Sequence, residues 1–298
     1  MSANLTDHQH ELGGVVIGTG TPVVIATIEG LGRPDVRTAD VEPPHADGVW
    51  IGVDYYAART VRIDAAIKTP GDQAAALDIL AALQRVHDEP AVRLTGGAGT
   101  ELRLKLPGRD VRVLTGRLRK AEADLAQLVH GWIPIDIEFV AADPYFYSDL
   151  PQQVTLPLGV ISGGGFRAPV SAPILVTPAP GGTQRPGHLS VEGTAPAWPV
   201  LRITGPCANP RITHVESGRV LELTATIGPG DWIEIDTRPP WRTVLRANGG
   251  NAAPALTAAS RLDRFTLPPG PSELRWQADD PTNTARLTCT WRPAWAAL

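Results

Sequence analysis

Two glycine-rich stretches have residue types that could bind a phosphate group. The first, Gly18–Pro22, begins like a dinucleotide-binding loop, but its third glycine is absent and a strand pattern follows where a helix is required. The second, Gly96–Gly99, is not followed by the lysine and the serine or threonine that a phosphate-binding loop uses. Both stretches are therefore predicted to be turns.

The sequence contains no complete set of residues for a catalytic nucleophile or a metal site. No Gly-x-Ser-x-Gly motif occurs, and Ser162 lies before three glycines in a stretch with linker composition. His8, His10 and Glu11 could contact a metal, but no fourth ligand lies near them in the sequence. The adjacent carboxylates of Asp279-Asp280-Pro281 are typical of a turn. We therefore predict a protein that is not an enzyme and that has no cofactor and no metal site.

Aromatic residues offer two further candidate sites. Three consecutive aromatics follow an Asp-Pro pair, and they could stack on a sugar or a base, but burial at a domain junction is favoured because aromatics dominate cores and interfaces. Trp241, beside two prolines, is the best candidate for an exposed aromatic that contacts a glycan or a partner, although a core or edge role is favoured for it too. The predicted junction consists of Asp143, Pro144, Tyr145, Phe146 and Tyr147.

Charge and cysteine content restrict the partners and the compartment. The net charge of −4 and the mixing of acids with bases argue against nucleic-acid binding. The uncharged stretch Leu12–Ile28 contains glycines and a proline, so it is interpreted as two short strands and no membrane insertion is expected. Cys207 and Cys289 are too few for a disulfide framework, and the N-terminus lacks a signal-peptide pattern, so folding in the cytosol with reduced thiols is expected.

The elements of the first half predict an α+β domain that is mostly β with one main helix. Trp132–Ser148 begins with the period-2 alternation of a strand and ends in the predicted junction. Thr60–Lys68 alternates in the same way, and apolar residues at helical spacing predict a helix over about Gly71–Asp88. Further strands are predicted at Val15–Ile17, Val23–Ile28 and Val111–Leu118.

Five other stretches of the first half have weaker patterns. Residues 1–11 are predicted to be loose, and Arg33–Asp47, charged and rich in proline, to be a loop or an arm. Ala91–Thr95 and Leu102–Leu106 are interpreted as a hairpin around the glycines between them. A second short helix is predicted over Ala121–Leu128.

The second half predicts an all-β sandwich or barrel. The chain has 298 residues, too many for one ordinary core, so two domains are expected, at 1–148 and 149–298, with 149–187 as a Gly/Pro-rich lead-in. Glycine or proline separates short strands about every 8–12 residues. These strands are predicted at Val154–Leu158, Ile174–Thr177, His188–Glu192, Val200–Thr204, Arg211–Val215, Val220–Ala225, Trp232–Asp236, Arg242–Arg246, Glu273–Gln277 and Ala285–Trp291.

A series of motifs in this second half resembles a known family. It consists of an apolar strand ending in glycine, an Asn-Pro strand start, a Gly-Asp strand ending in Ile-Asp, and Leu-Pro-Pro-Gly before a further strand. These lie at Ala197–Gly205, Asn209–Ile212, Ile227–Asp236, Phe265–Gly270 and Glu273–Trp276. Together with Phe139–Ser148, the series resembles the distal tail proteins of bacteriophages with long non-contractile tails. The family often has an asparagine soon after the Pro-Gly, whereas Pro271-Ser272 follows here.

The resemblance implies a structural protein of the virion, located at the tail tip and assembled in the host cytoplasm. Such proteins form a hexameric ring, in which the N-terminal domain makes the ring and stacks on the tail tube protein. A galectin-like C-terminal sandwich projects outward and can hold receptor-binding or side-fibre proteins, and the tail-tip hub protein docks on the other face. No catalysis is implied.

The residues themselves are compatible with such a ring. A closed ring repeats one heterologous contact, which Thr60–Lys68 could supply by extending a sheet between subunits, and Arg33–Asp47 by clasping a neighbour. We also expect Tyr145, Phe146 or both to be buried between or beneath the two domains. Two alternatives remain, a carbohydrate-binding module for cell-surface attachment and, less favoured, an accessory domain of an enzyme acting on cell-wall polymer.

Overall fold

A computed structural model describes residues 4–158, 187–240 and 242–298. The chain divides into two compact units, Met1–Leu150 with Ala294–Leu298, and Pro151–Pro293. The first boundary lies two residues after the predicted one. The structure differs from the prediction at the C-terminus, because the last five residues return to the first unit instead of ending in the second.

The first unit is mostly β-sheet, with one long helix in its described part. In chain order its elements are β1 (Gln9–Leu12), β2 (Val15–Gly18), β3 (Val23–Glu29), β4 (Val36–Arg37), β5 (Tyr55–Tyr56), β6 (Arg59–Lys68), α1 (Gln73–Asp88), α2 (Pro90–Arg93), β7 (Thr100–Leu104), β8 (Arg112–Ala123), β9 (Trp132–Ala141) and β10 (Phe146–Ser148). A 3-10 turn at Leu128–His130 precedes β9.

In the second unit all ten described strands are antiparallel, and their lengths run from 2 residues in β16 to 10 residues in β19. They are β11 (Gln152–Pro157), β12 (His188–Val191), β13 (Val200–Thr204), β14 (Cys207–His214), β15 (Arg219–Glu222), β16 (Thr226–Ile227), β17 (Trp232–Asp236), β18 (Thr243–Arg246), β19 (Gly270–Asp279) and β20 (Arg286–Trp291). A last strand, β21 (Ala294–Trp295), belongs to the first unit.

The main sheet of the first unit has the strand order β2-β1-β7-β8-β9-β6-β3, and β10 pairs with both β8 and β21. Strand β6 therefore has a hydrogen-bonded neighbour on each side, β9 and β3. The prediction that Thr60–Lys68 extends the sheet between subunits is wrong, because an internal strand has no free backbone groups along either side. The strands at the two ends of the order are β2 and β3.

Helix α1 packs its apolar stripe against the sheet, as its sequence spacing predicts. Asp72 caps its first turn, with the carboxylate accepting a hydrogen bond from the Ala75 amide at 2.9 Å. Ala76, Leu80 and Leu83 are buried on one face. The helix thus begins two residues after the predicted start and ends where expected.

Three sequence predictions for the first unit are wrong, each for a local reason. Residues 1–11 are not uniformly loose, because β1 pairs with both β2 and β7. The predicted strand Ala91–Thr95 is largely the short helix α2, which Pro90 begins. The predicted helix Ala121–Leu128 starts inside β8, where the register with β9 shifts between Leu118 and Lys120. That shift ends the period-2 pattern although the strand continues to Ala123.

The second unit forms its core from two antiparallel sheets. One has the order β11-β20-β13-β17-β18, and the other has the order β12-β19-β14-β15, with β16 paired to β14. Apolar side chains from both sheets form one buried cluster, as in a β-sandwich. Strands β13 and β17 have the predicted bounds. The predicted strand Ile174–Thr177 and most of the 149–187 lead-in lie outside the described residues.

Candidate assembly surface

The predicted junction residues form a tight turn after β9. The Asp143 carboxylate accepts hydrogen bonds from the Tyr147 hydroxyl at 2.6 Å and from the Tyr145 amide at 3.1 Å. Burial raises the pKa of Asp143 above its usual range, although both hydrogen bonds oppose that shift. The turn therefore holds one carboxylate against two aromatic residues, and it lies wholly inside the first unit.

Phe146 is completely buried, with 0% exposure, in the core of the first unit. Its backbone pairs with Trp295 of β21, and the Arg59 guanidinium lies 4.3 Å from its ring centroid. Tyr145 is half-buried and meets Tyr56 edge to face, with ring centroids 5.9 Å apart. Burial also raises the pKa of the Tyr145 hydroxyl. The aromatic trio thus packs within the first unit, and Tyr145 contacts the residue that ends β5.

Arg59 is a buried arginine, 2% exposed, whose guanidinium is hydrogen-bonded to carbonyl oxygens. It donates to Gly30 and Gly32 at 2.6 Å each, to Pro144 at 2.8 Å and to Ala296 at 2.6 Å. Burial lowers the pKa of Arg59 because it removes the guanidinium from water. One side chain therefore joins the segment after β3, the junction turn and the C-terminal segment.

A second buried arginine, Arg103, is held by carboxylates. It donates to Asp149 at 2.6 and 3.0 Å and forms an ion pair with Glu11. Hydrogen bonding to Asp149, together with Glu11, raises the pKa of Arg103. Glu11, one of the three candidate metal ligands at the N-terminus, thus forms an ion pair with Arg103. The described residues contain no group of three or more His, Cys, Asp or Glu side chains placed to hold a metal.

An exposed ribbon, residues 35–56, connects β3 to β6, and we call it the arm. Its two short strands, β4 and β5, pair with each other, and Val41 and Trp50 form a further bridge. Half of the exposed large apolar residues in the described part of the chain lie on this ribbon, including Trp50 (70% exposed) and Ile51 (88%). The others are Val36, Val41, Val49, Val53 and Tyr55. An isolated two-stranded ribbon is marginally stable in water, so this apolar surface indicates a binding partner.

The arm also has an excess of negative charge. From residue 35 to residue 56 the sequence has five carboxylates and one arginine, so its net charge is −4 with histidine neutral. The Asp40 carboxylate accepts a hydrogen bond from the Gly52 amide at 2.8 Å, which joins the two halves of the ribbon. The predicted arm at Arg33–Asp47 is therefore the first half of a longer ribbon that its apolar second half completes.

Trp241, the exposed aromatic predicted to contact a glycan or partner, lies outside the described residues. None of the described helices is long and apolar enough to cross a membrane. The surface with the strongest indication of a partner in the described part of the chain is therefore the arm.

Comparisons with known proteins find a family model that matches part of the second half of the chain. Residues 192–295 are similar to the family described as the siphovirus-type tail component, C-terminal domain. The resemblance to siphophage tail proteins expected from the sequence motifs is thus confirmed. No curated protein sequence matches the chain.

Solved phage structures share the fold of almost the whole chain. The crystal structure of the phage SPP1 Dit protein, described as a hub adsorption apparatus of phages infecting Gram-positive bacteria, has 13% identity and a TM-score of 0.62 over 96% of this chain and 98% of that one. A chain of the phage P2 baseplate, activated with calcium, has 11% identity and a TM-score of 0.53 over 95% and 97% of the two chains. Because the sequence identities are this low, the structural similarity shows a common fold alone.

Proposed function

We propose that this chain is a structural protein of a siphophage tail tip that forms a ring, with six copies, at the distal end of the tail. The observation that carries the proposal is the combination of a family domain at residues 192–295 with a fold match to the SPP1 Dit protein over both units. The proposed place of action is the virion, after assembly in the host cytoplasm.

The ring would join three kinds of partner. The tail tube protein would bind one face, the tail-tip hub protein the other, and receptor-binding or side-fibre proteins the periphery. The first unit would form the ring, and the second unit, a galectin-like sandwich in this proposal, would project from it. The proposal assigns no catalytic step to the chain, because the family that it matches is described as a tail component.

The arm supports self-association of the first unit. A closed ring needs one heterologous contact repeated at every subunit, so each copy must present an inserting surface and a receiving surface. The arm has the properties of the inserting surface, because it leaves apolar side chains such as Trp50 and Ile51 in solvent. Strand β6 is excluded from that role because it is internal to the sheet.

The test is the mass and the shape of the purified full-length chain. One copy has a mass of 31.6 kDa, and we expect light scattering at high concentration to give about six times that value. Negative-stain images should show six-fold rings with a central hole. A protein that remains a monomer alone, and also in the presence of its tube and hub proteins, would overturn the proposal. Binding to glycan arrays by ring-free protein would instead favour a carbohydrate-binding module.

A further inference from the structure

A basic cleft lies beside the C-terminal end of α1. It has a volume of about 250 Å³ and is lined by Val86, His87, Val92, Arg93, Arg117, Leu118 and Arg119. Three of these residues are arginines, and no carboxylate lines the cleft. Like charges that share a cleft repel one another, so a ligand with negative charge would stabilise this arrangement.

The arginines of the basic cleft differ in their partners. Arg117 donates to the carbonyl oxygens of Ala98 at 3.0 Å and Thr95 at 2.6 Å, and so holds the loop at the rim. Arg93 and Arg119 are exposed, and neither has an ion-pair partner among the described residues. Two guanidinium groups are therefore available to a second molecule.

Exposed apolar surface lies in the basic cleft and next to it in the chain. Val92 lines the cleft and is only half-buried, and Leu94, which follows the lining residue Arg93 in the sequence, has 72% of its surface exposed. A small anion would neutralise the arginines but would leave Leu94 in water. A ligand that has both carboxylates and large apolar side chains would satisfy the whole surface.

The arm has this combination of groups. Trp50 and Ile51 are exposed on it, and Glu42 and Asp54 are exposed carboxylates without an ion-pair partner among the described residues. The half of the arm from Val36 to the turn of the ribbon is about 10 residues long, and an extended chain of that length spans roughly 30 Å. The arm can therefore extend to a neighbouring subunit.

We propose that the arm of one copy binds the basic cleft of the next copy, and that this contact closes the ring. The inference rests on the proposed ring function and names its repeated contact. Trp50 and Ile51 cover Leu94 and Val92, while Glu42 and Asp54 neutralise Arg93 and Arg119. Since the two surfaces are different and lie on the same unit, the contact is heterologous, as a ring requires.

The first test is cross-linking between introduced cysteines. The chain has two cysteines, Cys207 and Cys289, and both are buried. In the full-length variant Ile51→Cys/Leu94→Cys, a short bismaleimide should produce a ladder of up to six copies on a denaturing gel. The matched control is Ile51→Cys/Val129→Cys, because Val129 is 66% exposed elsewhere on the first unit. We expect at least tenfold less ladder from the control.

The second test reverses the charges. Arg93→Glu/Arg119→Glu and, separately, Glu42→Lys/Asp54→Lys should each raise the concentration needed for assembly at least tenfold. Combining all four substitutions in one chain should restore assembly, because the attraction is then reversed on both surfaces. Asp40 is not used, since it holds Gly52 within the arm.

The outcomes separate this inference from the proposed function. Rings that persist after charge reversal at the cleft, with equal ladders from the Leu94 and Val129 pairs, would overturn the inference and leave the ring intact. Cross-links confined to single chains would overturn it as well. Failure of the wild-type chain to assemble under any condition would instead contradict the proposed function.

Discussion

The junction turn and the arm lie in the same unit, and both are rich in large apolar side chains. They differ in whether the chain's own residues bury those side chains. Phe146 has no exposed surface and contacts β21 and Arg59 of its own chain. Trp50 and Ile51 of the arm are mostly exposed. The chain therefore buries the apolar side chain of Phe146 with its own residues, whereas it leaves the large apolar side chains of the arm in solvent.

The comparison shows why aromatic sequence content alone does not identify a binding site. The aromatics at 145–147 resemble a ligand platform in sequence, but they form core and turn contacts. The apolar half of the arm, residues 49–55, is harder to recognise in the sequence because its apolar residues do not recur with the period of a helix or a strand. Burial distinguishes the two regions. Substitutions in the junction should affect folding, and substitutions in the arm should affect assembly.

The largest expected effect is that of Phe146→Ala. Removing a fully buried ring should lower the free energy of unfolding of the first unit by about 3–5 kcal/mol, through lost burial and a new cavity. Denaturant titration of the full-length variant, followed by a probe in the first unit, measures this loss. A change below about 1 kcal/mol would show that the junction is not part of that core.

Next in size is Arg59→Met. This substitution leaves the carbonyl oxygens of Gly30, Gly32, Pro144 and Ala296 without their shared donor, which should cost about 3 kcal/mol of unfolding free energy. The matched control is Arg62→Met on the same strand, whose exposed ion pair with Glu138 at 3.4 Å should be worth no more than about 1 kcal/mol. Equal losses for the two variants would contradict the role given to Arg59.

A third prediction concerns pH and the buried residue His10. Burial lowers the pKa of His10 to about 4 in the folded chain, with His8 adding to the shift. The unfolded chain, with a histidine pKa of about 6.5, binds the proton first, so stability should fall as pH decreases from about 6.5 to about 4. The loss should be on the order of 2–3 kcal/mol. His10→Gln should flatten the profile in this window, and an unchanged profile would show that His10 does not cause it.

The smallest expected effect on folding is that of Trp50→Ser in the arm. Because its side chain is mostly exposed, the unfolding free energy of the dilute monomer should change by less than about 0.5 kcal/mol. The same substitution should shift ring assembly to higher concentration, as light scattering would show. A loss of monomer stability comparable to that of Phe146→Ala would remove the distinction between the two regions.

Much of the fold could be predicted from local pattern. Helix α1 and the strands β6, β13 and β17 have strong periods, and their observed bounds lie within two residues of the predicted ones. Strand β8 was harder to predict, because a register shift after Leu118 breaks the alternation that marks a strand. Strand β1 depends on tertiary pairing with β7, about 90 residues away in sequence, which no local window shows.

The candidate site was less predictable than the fold. The proline-rich beginning of the arm was visible in the sequence, but its apolar continuation to residue 56 and its exposure were not. Nothing in the local sequence identifies Arg59, because its carbonyl partners lie up to 237 residues away from it in the chain. The return of residues 294–298 to the first unit is likewise a long-range contact without a local signal. The position of Trp241 is still a prediction.

In the proposed ring, a second copy covers the arm of each chain. Amide hydrogen exchange of residues 35–56 in the full-length chain tests it directly, measured below and above the concentration at which rings form. We expect exchange within seconds in the monomer and at least tenfold slower exchange in the ring, with residues around Leu94 protected in parallel and Phe146 protected in both states. Arm amides that exchange equally fast in monomer and ring would contradict the account.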